Sequence, residues 1–522
     1  MHSDSQFSLE LDLLNKETIM TKMKRDLAIV GVLFLAALSI PAVLAQEHPG
    51  PQPGSTHPLG YRLFIIGTFG GVNSFTNGGS VVINRHGTVV GSAETSTSCP
   101  YFPAALVSPA FKWRKGNLIE LPRLPEGCAG FGIAINSQGL VVGAADNGVI
   151  DPLIGQPESR AVVWRGDEIL DLGTFGGTNS LAGGLNNVGQ VVGGAENADP
   201  DPFDFGGSVV GGLPSPTAWH AFLWTGGVMK DLGTLGGPDS FAEHVNDLGE
   251  VAGISFTNST PSPTTGVPTV APFLWKSGKI RKLGSFGGTF GAANDINNLG
   301  QIVGFSDLAG DVEGHPYLWE RGKMRDLGVL GGSFGVAGWL NDSGVVVGGS
   351  TTRDNQAFHA FRWEKGVMTD LGTLEGDVCS DGDIINSKRQ IVGASHNCSA
   401  DLPSRAVLWD PENRIIDLNR FVPRGSDLRL VDSTFINDRG DIVAVGVTAD
   451  GVAHPVVLIP CETSEAEDCE EASDNTQTST SNSGPGGPSL STRGHRALTP
   501  EGLAAMRARF VGRHGFGVWP RH

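Results

Sequence analysis

Basic side chains are in short supply in this chain. Its 522 residues hold 37 Lys and Arg against 55 Asp and Glu, a formal charge of −18. Such a balance repels phosphate backbones and anionic lipid, which excludes nucleic acid and acidic membrane surfaces as partners. The chain also lacks the short motifs that carry chemistry. No phosphate loop or dinucleotide fingerprint occurs, and no Cys-x-x-Cys pair that would hold zinc through thiolates. With no catalytic constellation to point to, the chain reads as non-enzymatic, without cofactor or metal. Long apolar runs are missing after residue 45, so the body predicts no membrane span.

Glycine, by contrast, is abundant at 75 residues, without the every-third-residue period of collagen. The excess sits in repeats, which are sought before any other feature. One signature is Asn-x-x-Gly-x-Val-Val-Gly. It occurs at 84–91, 136–143, 186–193, 246–253, 297–304 and 341–348. Weaker copies lie at 386–393, with Arg389 in the glycine slot, and at 437–444. The leading asparagines are 52, 50, 60, 51, 44, 45 and 51 residues apart. A second signature is an apolar strand ending in Trp113, Trp164, Trp224, Trp275, Trp319, Trp363 and Trp409, with Leu458 in the eighth copy. A third is Leu-Gly-x-x-Gly-Gly, complete at 172–177, 232–237, 283–288 and 327–332, with Glu375 replacing a glycine at 371–376.

These signatures have direct physical readings. Asn opens a tight turn by bonding backbone ahead of it, and Gly at the fourth position accepts the positive φ that closes a hairpin. The flanking runs are short, branched or aromatic, and apolar on both faces, so their sheets are covered on both sides. Each unit then supplies four strands, read as DLGTL, SxAxxIN, QVVGxS and HAFLW. Four antiparallel strands in about fifty residues match a propeller blade. A buried Trp removes roughly 150–250 Å² from water, about 4–6 kcal/mol before entropy is subtracted. The prediction is an all-β fold, a β-propeller of eight four-stranded blades, with a seven-bladed ring as the alternative. The strand at 61–67 lacks a hairpin partner before it, and that at 455–459 lacks one after it. Pairing of these two closes the ring, which an open solenoid with capping units would not need.

This pattern resembles the HAF family of extracellular repeat proteins. The tripeptide stands as His220-Ala221-Phe222 and His359-Ala360-Phe361, each with Trp two residues on. Other units depart from it, as in Pro109-Ala110-Phe111, Arg160-Ala161-Val162 and His454-Pro455-Val456. The resemblance spans about residues 63–460 and implies an exported repeat protein. It brings no catalytic residue to any position here.

Domain organisation follows. Residues 1–45 comprise an N-terminal extension and a signal peptide, with Lys22, Lys24 and Arg25 before the apolar run 27–40 and a cut ahead of Gln46. The polar lead at 1–19 points to Met20 or Met23 as the translation start, and an uncleaved anchor is the alternative to cleavage. A Pro/Gly-rich linker fills 46–58 and the propeller 59–460. An acidic, then Ser/Gly-rich linker covers 461–493, and a basic tail 494–522, where Thr499 and Pro500 can open a short helix.

Six cysteines suit an oxidising compartment, so the expected location is secreted, extracellular or in the cell envelope. Strand direction puts Cys99, Cys128, Cys379 and Cys398 in loops on one face, which predicts the bridges Cys99–Cys128 and Cys379–Cys398. Cys461–Cys469 is the third pair, and free thiols are the alternative.

The same face holds the connections of most variable length, near 195–218 and 255–270. Loops of that kind on a rigid scaffold are where binding resides. The expected partner is a polysaccharide or a protein. The alternatives are a propeller hydrolase or lyase of carbohydrate and a surface protein with no ligand. Several residues bear on these choices. His220, His315, His359 and His454 share one repeat position, which reads as structural hydrogen bonding. Asp199, Asp201 and Asp204 form an oxygen-rich loop, but Pro200 and Pro202 intervene and no calcium-loop spacing fits. Glu375 and Asp377 are an isolated acidic pair, and glycosidase chemistry needs two carboxylates at a set distance. Trp219 and Trp339 stand outside the repeated Trp position, as core or as sugar platforms.

Overall fold

The computed structural model describes residues 60–461 apart from 78–79, 104, 209–214, 264–265 and 399–403. The signal, both linkers apart from Cys461, the basic tail, the helix expected after Thr499, and Cys469 lie outside the described residues.

Eight four-stranded antiparallel blades form the structure. The first comprises Gly70–Phe75, Val89–Thr95, Ala110–Arg114 and Asn117–Glu120 in that order. Six more repeat the order along the chain. Single parallel bridges, Val270 to Phe290 and Gly314 to Phe334, merge three of them into one continuous 12-stranded sheet. The last blade takes Arg429–Ile436, Ile442–Val447 and Ala453–Pro460 from the end of the repeats, and its outer strand Tyr61–Ile65 from their beginning. The register runs from Tyr61 opposite Pro460 to Ile65 opposite Val456. This is the closure predicted from the two unpartnered strands, and eight is the blade number.

The Asn-x-x-Gly turns do more than close hairpins. Each Asn Oδ1 accepts backbone N–H groups ahead of it, as Asn136 does from Gln138 (3.0 Å) and Leu140 (3.0 Å). Each Asn Nδ2 donates to the carbonyl of the next Asn round the ring. The chain of bonds runs from Asn84 to Asn136 and onward through every blade. It returns when Asn437 donates to Asn84, every link measuring 2.9–3.1 Å. Buried backbone acceptors are thereby satisfied at each blade junction. In the seventh turn Arg389 holds the glycine slot at φ 67°, a left-handed conformation unfavourable to a side chain.

The Val-Val-Gly signature has an equally local cause. In seven blades the inner strand carries a register shift at one place, for example between Gly132 and Ala134. This bulge brings an inner-strand carbonyl against the second strand. A Cβ at Gly143 would sit 1.9 Å from the Phe131 oxygen, so no side chain fits. Six of the seven repeated Trp are buried, and Trp319 is half-buried. Trp164 and Trp409 donate Nε1 to the carbonyls of Pro122 (2.7 Å) and Leu371 (2.9 Å). Packing is therefore their role.

One strand assignment needs correction. The outer strands are segments such as Val228–Asp231 and end at the Asp, so DLGTL is not a strand. The Asp carboxylate caps the next turn: Asp231 accepts from Gly233 N at 2.7 Å and Asp326 from Gly328 N at 2.7 Å. That turn ends the pairing and sends Leu-Gly-x-x-Gly-Gly across to the next blade.

Candidate functional site: the long-loop face

The Asn turns and the third-to-fourth-strand turns share one end of the ring. Connections between second and third strands occupy the other. Blades 2, 3 and 4 differ there from the rest. Their hairpins, Val141–Ile150 with Pro157–Arg165, Val191–Pro200 with Thr217–Thr225, and Val251–Pro261 with Pro268–Lys276, use strands of 9–11 residues. Corresponding strands of blade 6 have 7. Three neighbouring hairpins thus project from one face. The first and third close alike. Asp151 N donates to Gln156 O (2.8 Å) and Gly155 N to Asp151 O (2.8 Å); Ser262 N donates to Val267 O (2.9 Å) and Gly266 N to Ser262 O (2.8 Å).

Side chains fasten the blade 2 and blade 3 projections to the following blade, and the bridge from Val270 to Phe290 does so for blade 4. Asp151 accepts from Thr178 Oγ1 at 2.6 Å and from Leu153 N at 2.7 Å. Burial works against its charge, but these bonds outweigh burial and hold its carboxyl below the usual range. Within blade 3 itself, Glu196 accepts the backbone N–H of Thr178 (3.1 Å) and Asn179 (2.9 Å). Phe203 and Phe205 from the blade 3 loop pack on Phe256 of blade 4, with centroids at 5.9 and 4.9 Å. The loops are consequently rigid platforms with exposed tips. Val149 (51%), Ile150 (40%) and Leu153 (67%) lie open on the blade 2 hairpin. Phe102 is exposed in the adjoining loop, which Tyr101 ties to that hairpin by donating to Asp146.

The residues singled out in the sequence take defined places. Cys99–Cys128 and Cys379–Cys398 are disulfides with Cα separations of 5.6 and 5.1 Å. Asp199 is exposed, while the carboxylates of Asp201 and Asp204 cap their own loop. Asp201 accepts from Phe203 N (2.8 Å) and Phe205 N (2.6 Å), and Asp204 from Ser215 N (2.8 Å). Among the described residues no three metal-binding side chains converge. Asp377 accepts from Arg405 at 2.8 Å and from Ser395 at 2.8 Å, while Glu375 is exposed, so the two are not a matched acidic pair. His220, His315 and His359 each bond the terminal Asp of their own outer strand, Asp231, Asp326 and Asp370, at 2.8–2.9 Å. His454 meets Ser74 Oγ at 3.3 Å. Trp219 is buried, and Trp339 is half-buried at the ring axis.

Asp239 escaped sequence reasoning. It stands where Asn179 stands one blade earlier. Both accept from the preceding blade's third strand, Asn179 from Ser159 N (2.9 Å) and Asp239 from Trp219 N (2.8 Å). Asn179 also donates to Glu196 (3.2 Å), but blade 4 has Phe256 at that level. Asp239 Oδ2 is left buried without a partner, and burial, then the nearby charge of Asp201, pushes the carboxyl up to about 8. With no exposed surface it cannot touch a substrate. The one signal was GGPDS against GGTNS.

No protein-family model matches the chain, and no curated protein does. Among solved structures, the β-propeller domain of the Trilobed protease from Pyrococcus furiosus is similar at 10% identity and TM-score 0.38, over 69% of this chain and 95% of that one. Pyrococcus horikoshii acylaminoacyl peptidase aligns at 12% identity and TM-score 0.34, over 72% and 57%. A Trypanosoma rangeli sialidase in complex with 2,3-difluorosialic acid aligns at 13% and 0.28, over 71% and 58%. The chain thus spans little more than half the length of the last two.

Proposed function

We propose that this chain is an exported propeller of HAF-type repeats that works as a binding module, with the long-loop face as its contact surface. The observation that carries the reading is the set of three consecutive projecting hairpins, locked to their neighbours and presenting Val149, Ile150 and Leu153 to solvent. Exposed aliphatic tips on a rigid base are typical of protein-binding surfaces. Sugar rings are more often met by aromatic platforms, so a protein of the cell envelope fits better than a polysaccharide. Export is supported by the signal-like residues 20–45 and by the disulfides. No helix among the described residues is long and apolar enough to cross a membrane.

The test compares the folded wild type with a Val149→Asp, Ile150→Asp, Leu153→Asp triple variant. Binding to purified envelope proteins, to a glycan array and to carbohydrate substrates under turnover conditions is measured for both. Saturable binding to one envelope protein that the variant loses supports the reading. Glycan binding without turnover moves the partner to polysaccharide. Turnover, or binding unaffected by the variant, refutes a non-enzymatic loop-face module.

A further inference from the structure

At the end opposite the long loops, the inner strands and Asn turns of all eight blades enclose a cavity of about 440 Å³ on the ring axis. Its wall is uneven. Ala134 and Gly184, on the neighbouring second and third blades, make one side small and aliphatic. A Cβ at Gly184 would come within 2.8 Å of the Glu243 carbonyl, so that side cannot be filled in. The other side carries His244, Asp295, Trp339 and Phe435, one from each of four blades. His244 meets Trp339 edge-on with ring centroids 5.4 Å apart, and Trp339 meets Phe435 edge-on at 5.8 Å. His244 Nδ1 lies 3.9 Å from Asp295 Oδ1. Asp295 is 6% exposed and accepts from Ile296 N (2.8 Å) and Leu340 N (3.1 Å), with no Lys or Arg beside it.

We propose that this axial cavity binds a small organic cation, a protonated amine with an apolar or aromatic body, whose ammonium meets Asp295 and whose body packs on Trp339 and Phe435. Charge selects the class. Asp247, Asp342 and Asp438 stand at the mouth with Arg85 as the one Lys or Arg among the lining residues, so anions are repelled and cations drawn in. A metal ion finds only two converging ligands, His244 and Asp295. A sugar finds few free polar groups, because the ring asparagines spend Nδ2 on each other's carbonyls and Oδ1 on their own turns. Aromatic side chains with a carboxylate lining the cavity are what an amine with an apolar body requires. Burial holds Asp295 up to about 7, and an arriving ammonium favours its charged form.

The experiment is calorimetric titration of the whole protein with 2-phenylethylamine, and with 2-phenylethanol as its uncharged counterpart. The amine binds saturably at one site, the alcohol on the order of tenfold more weakly or worse, as for loss of a hydrogen bond to a charged group. Asp295→Asn keeps an acceptor for the backbone but loses amine affinity on the same scale. Trp339→Leu weakens amine and alcohol alike. Affinity for the amine rises as pH rises through about 7, because Asp295 sheds its proton while the amine keeps its own. Val312→Asp, in an exposed second-to-third-strand connection on the opposite face, leaves amine affinity unchanged. Absence of saturable amine binding by wild type overturns the proposal. So does equal affinity for amine and alcohol, or a folded Asp295→Asn that binds as before. If Asp295→Asn fails to fold, the alcohol comparison and Trp339→Leu decide.

Discussion

Asn437 Nδ2 donates to the carbonyl of Asn84 at 3.0 Å, across 353 residues of sequence. The same side chain accepts from Arg439 N (2.9 Å) and Asp441 N (3.0 Å), so it shapes one turn while closing the ring. Asn437→Asp keeps the acceptor and removes the donor. It also sets a second carboxylate beside Asp441, which Asn437 contacts at 2.9 Å. The expected loss is about 1–3 kcal/mol, the cost of stranding a buried polar group. Urea titration measures it, and a midpoint equal to wild type would show that closure rests on the paired strands alone.

Asp239 predicts a stabilising substitution. Its folded pKa, about 8, lies above the ordinary carboxylate value of the unfolded chain. The unfolded state therefore releases this proton first, and stability drains away as pH rises from about 4 to about 8. Asp239→Asn restores the residue type found at Asn179 and has no such proton. Its advantage should be absent near pH 4, grow with pH, and level off above about 8, reaching on the order of 2 kcal/mol. Thermal melts across that range would contradict this account if the gain were equal at every pH.

The opposite sign holds for His359. Burial lowers its basicity, but Asp370 and the Val378 carbonyl, at 2.9 and 3.1 Å, outweigh burial and raise it. Both ring nitrogens then donate, as the imidazolium must. Its contribution is complete below the usual His range and fades as pH climbs through the raised value. Asp370 is held low despite burial by the same partner, so its contribution fades instead as pH falls through the acid range. His359→Leu should cost about 0.5 kcal/mol near pH 6, because the Asp is 44% exposed and screened, and less near pH 9. A deficit that widens toward alkaline pH counts against the ion pair.

The bridges span 29 and 19 residues, which by loop entropy is worth about 3 kcal/mol each. Paired Cys→Ser changes at 99 and 128, or at 379 and 398, should lower the melting temperature by similar amounts. A reductant should then have no further effect on the bridge already removed. Intact-mass measurement under denaturing, non-reducing conditions checks the pairing. Any cross-pairing of Cys99 with Cys379 or Cys398 would break the assignment of the loops to their blades.

Much of the fold could be read directly. The Asn turn, the Trp strand and the unpartnered strands at the two ends are each decided within one unit of about fifty residues. Repetition then made weak local signals unmistakable. The outer strand was misread because Leu-Gly-x-Leu continues the apolar run past Asp231. Only the turn bond to Gly233 shows where pairing stops. Within the loop face, the variable lengths were visible, whereas the anchoring by Asp151 and Phe205 was not, since it joins different blades.

By itself the sequence determined the repeated unit, which way its strands run and which two strands can close a ring, and it favoured eight blades over seven and two bridges over free thiols. These follow from short-range geometry copied from unit to unit. The tertiary structure alone decided what gathers on the axis. His244 and Asp295 lie one whole repeat apart in the chain, yet Nδ1 and Oδ1 stand 3.9 Å apart. Such a distance is a property of how neighbouring blades pack at the axis, which no single repeat contains.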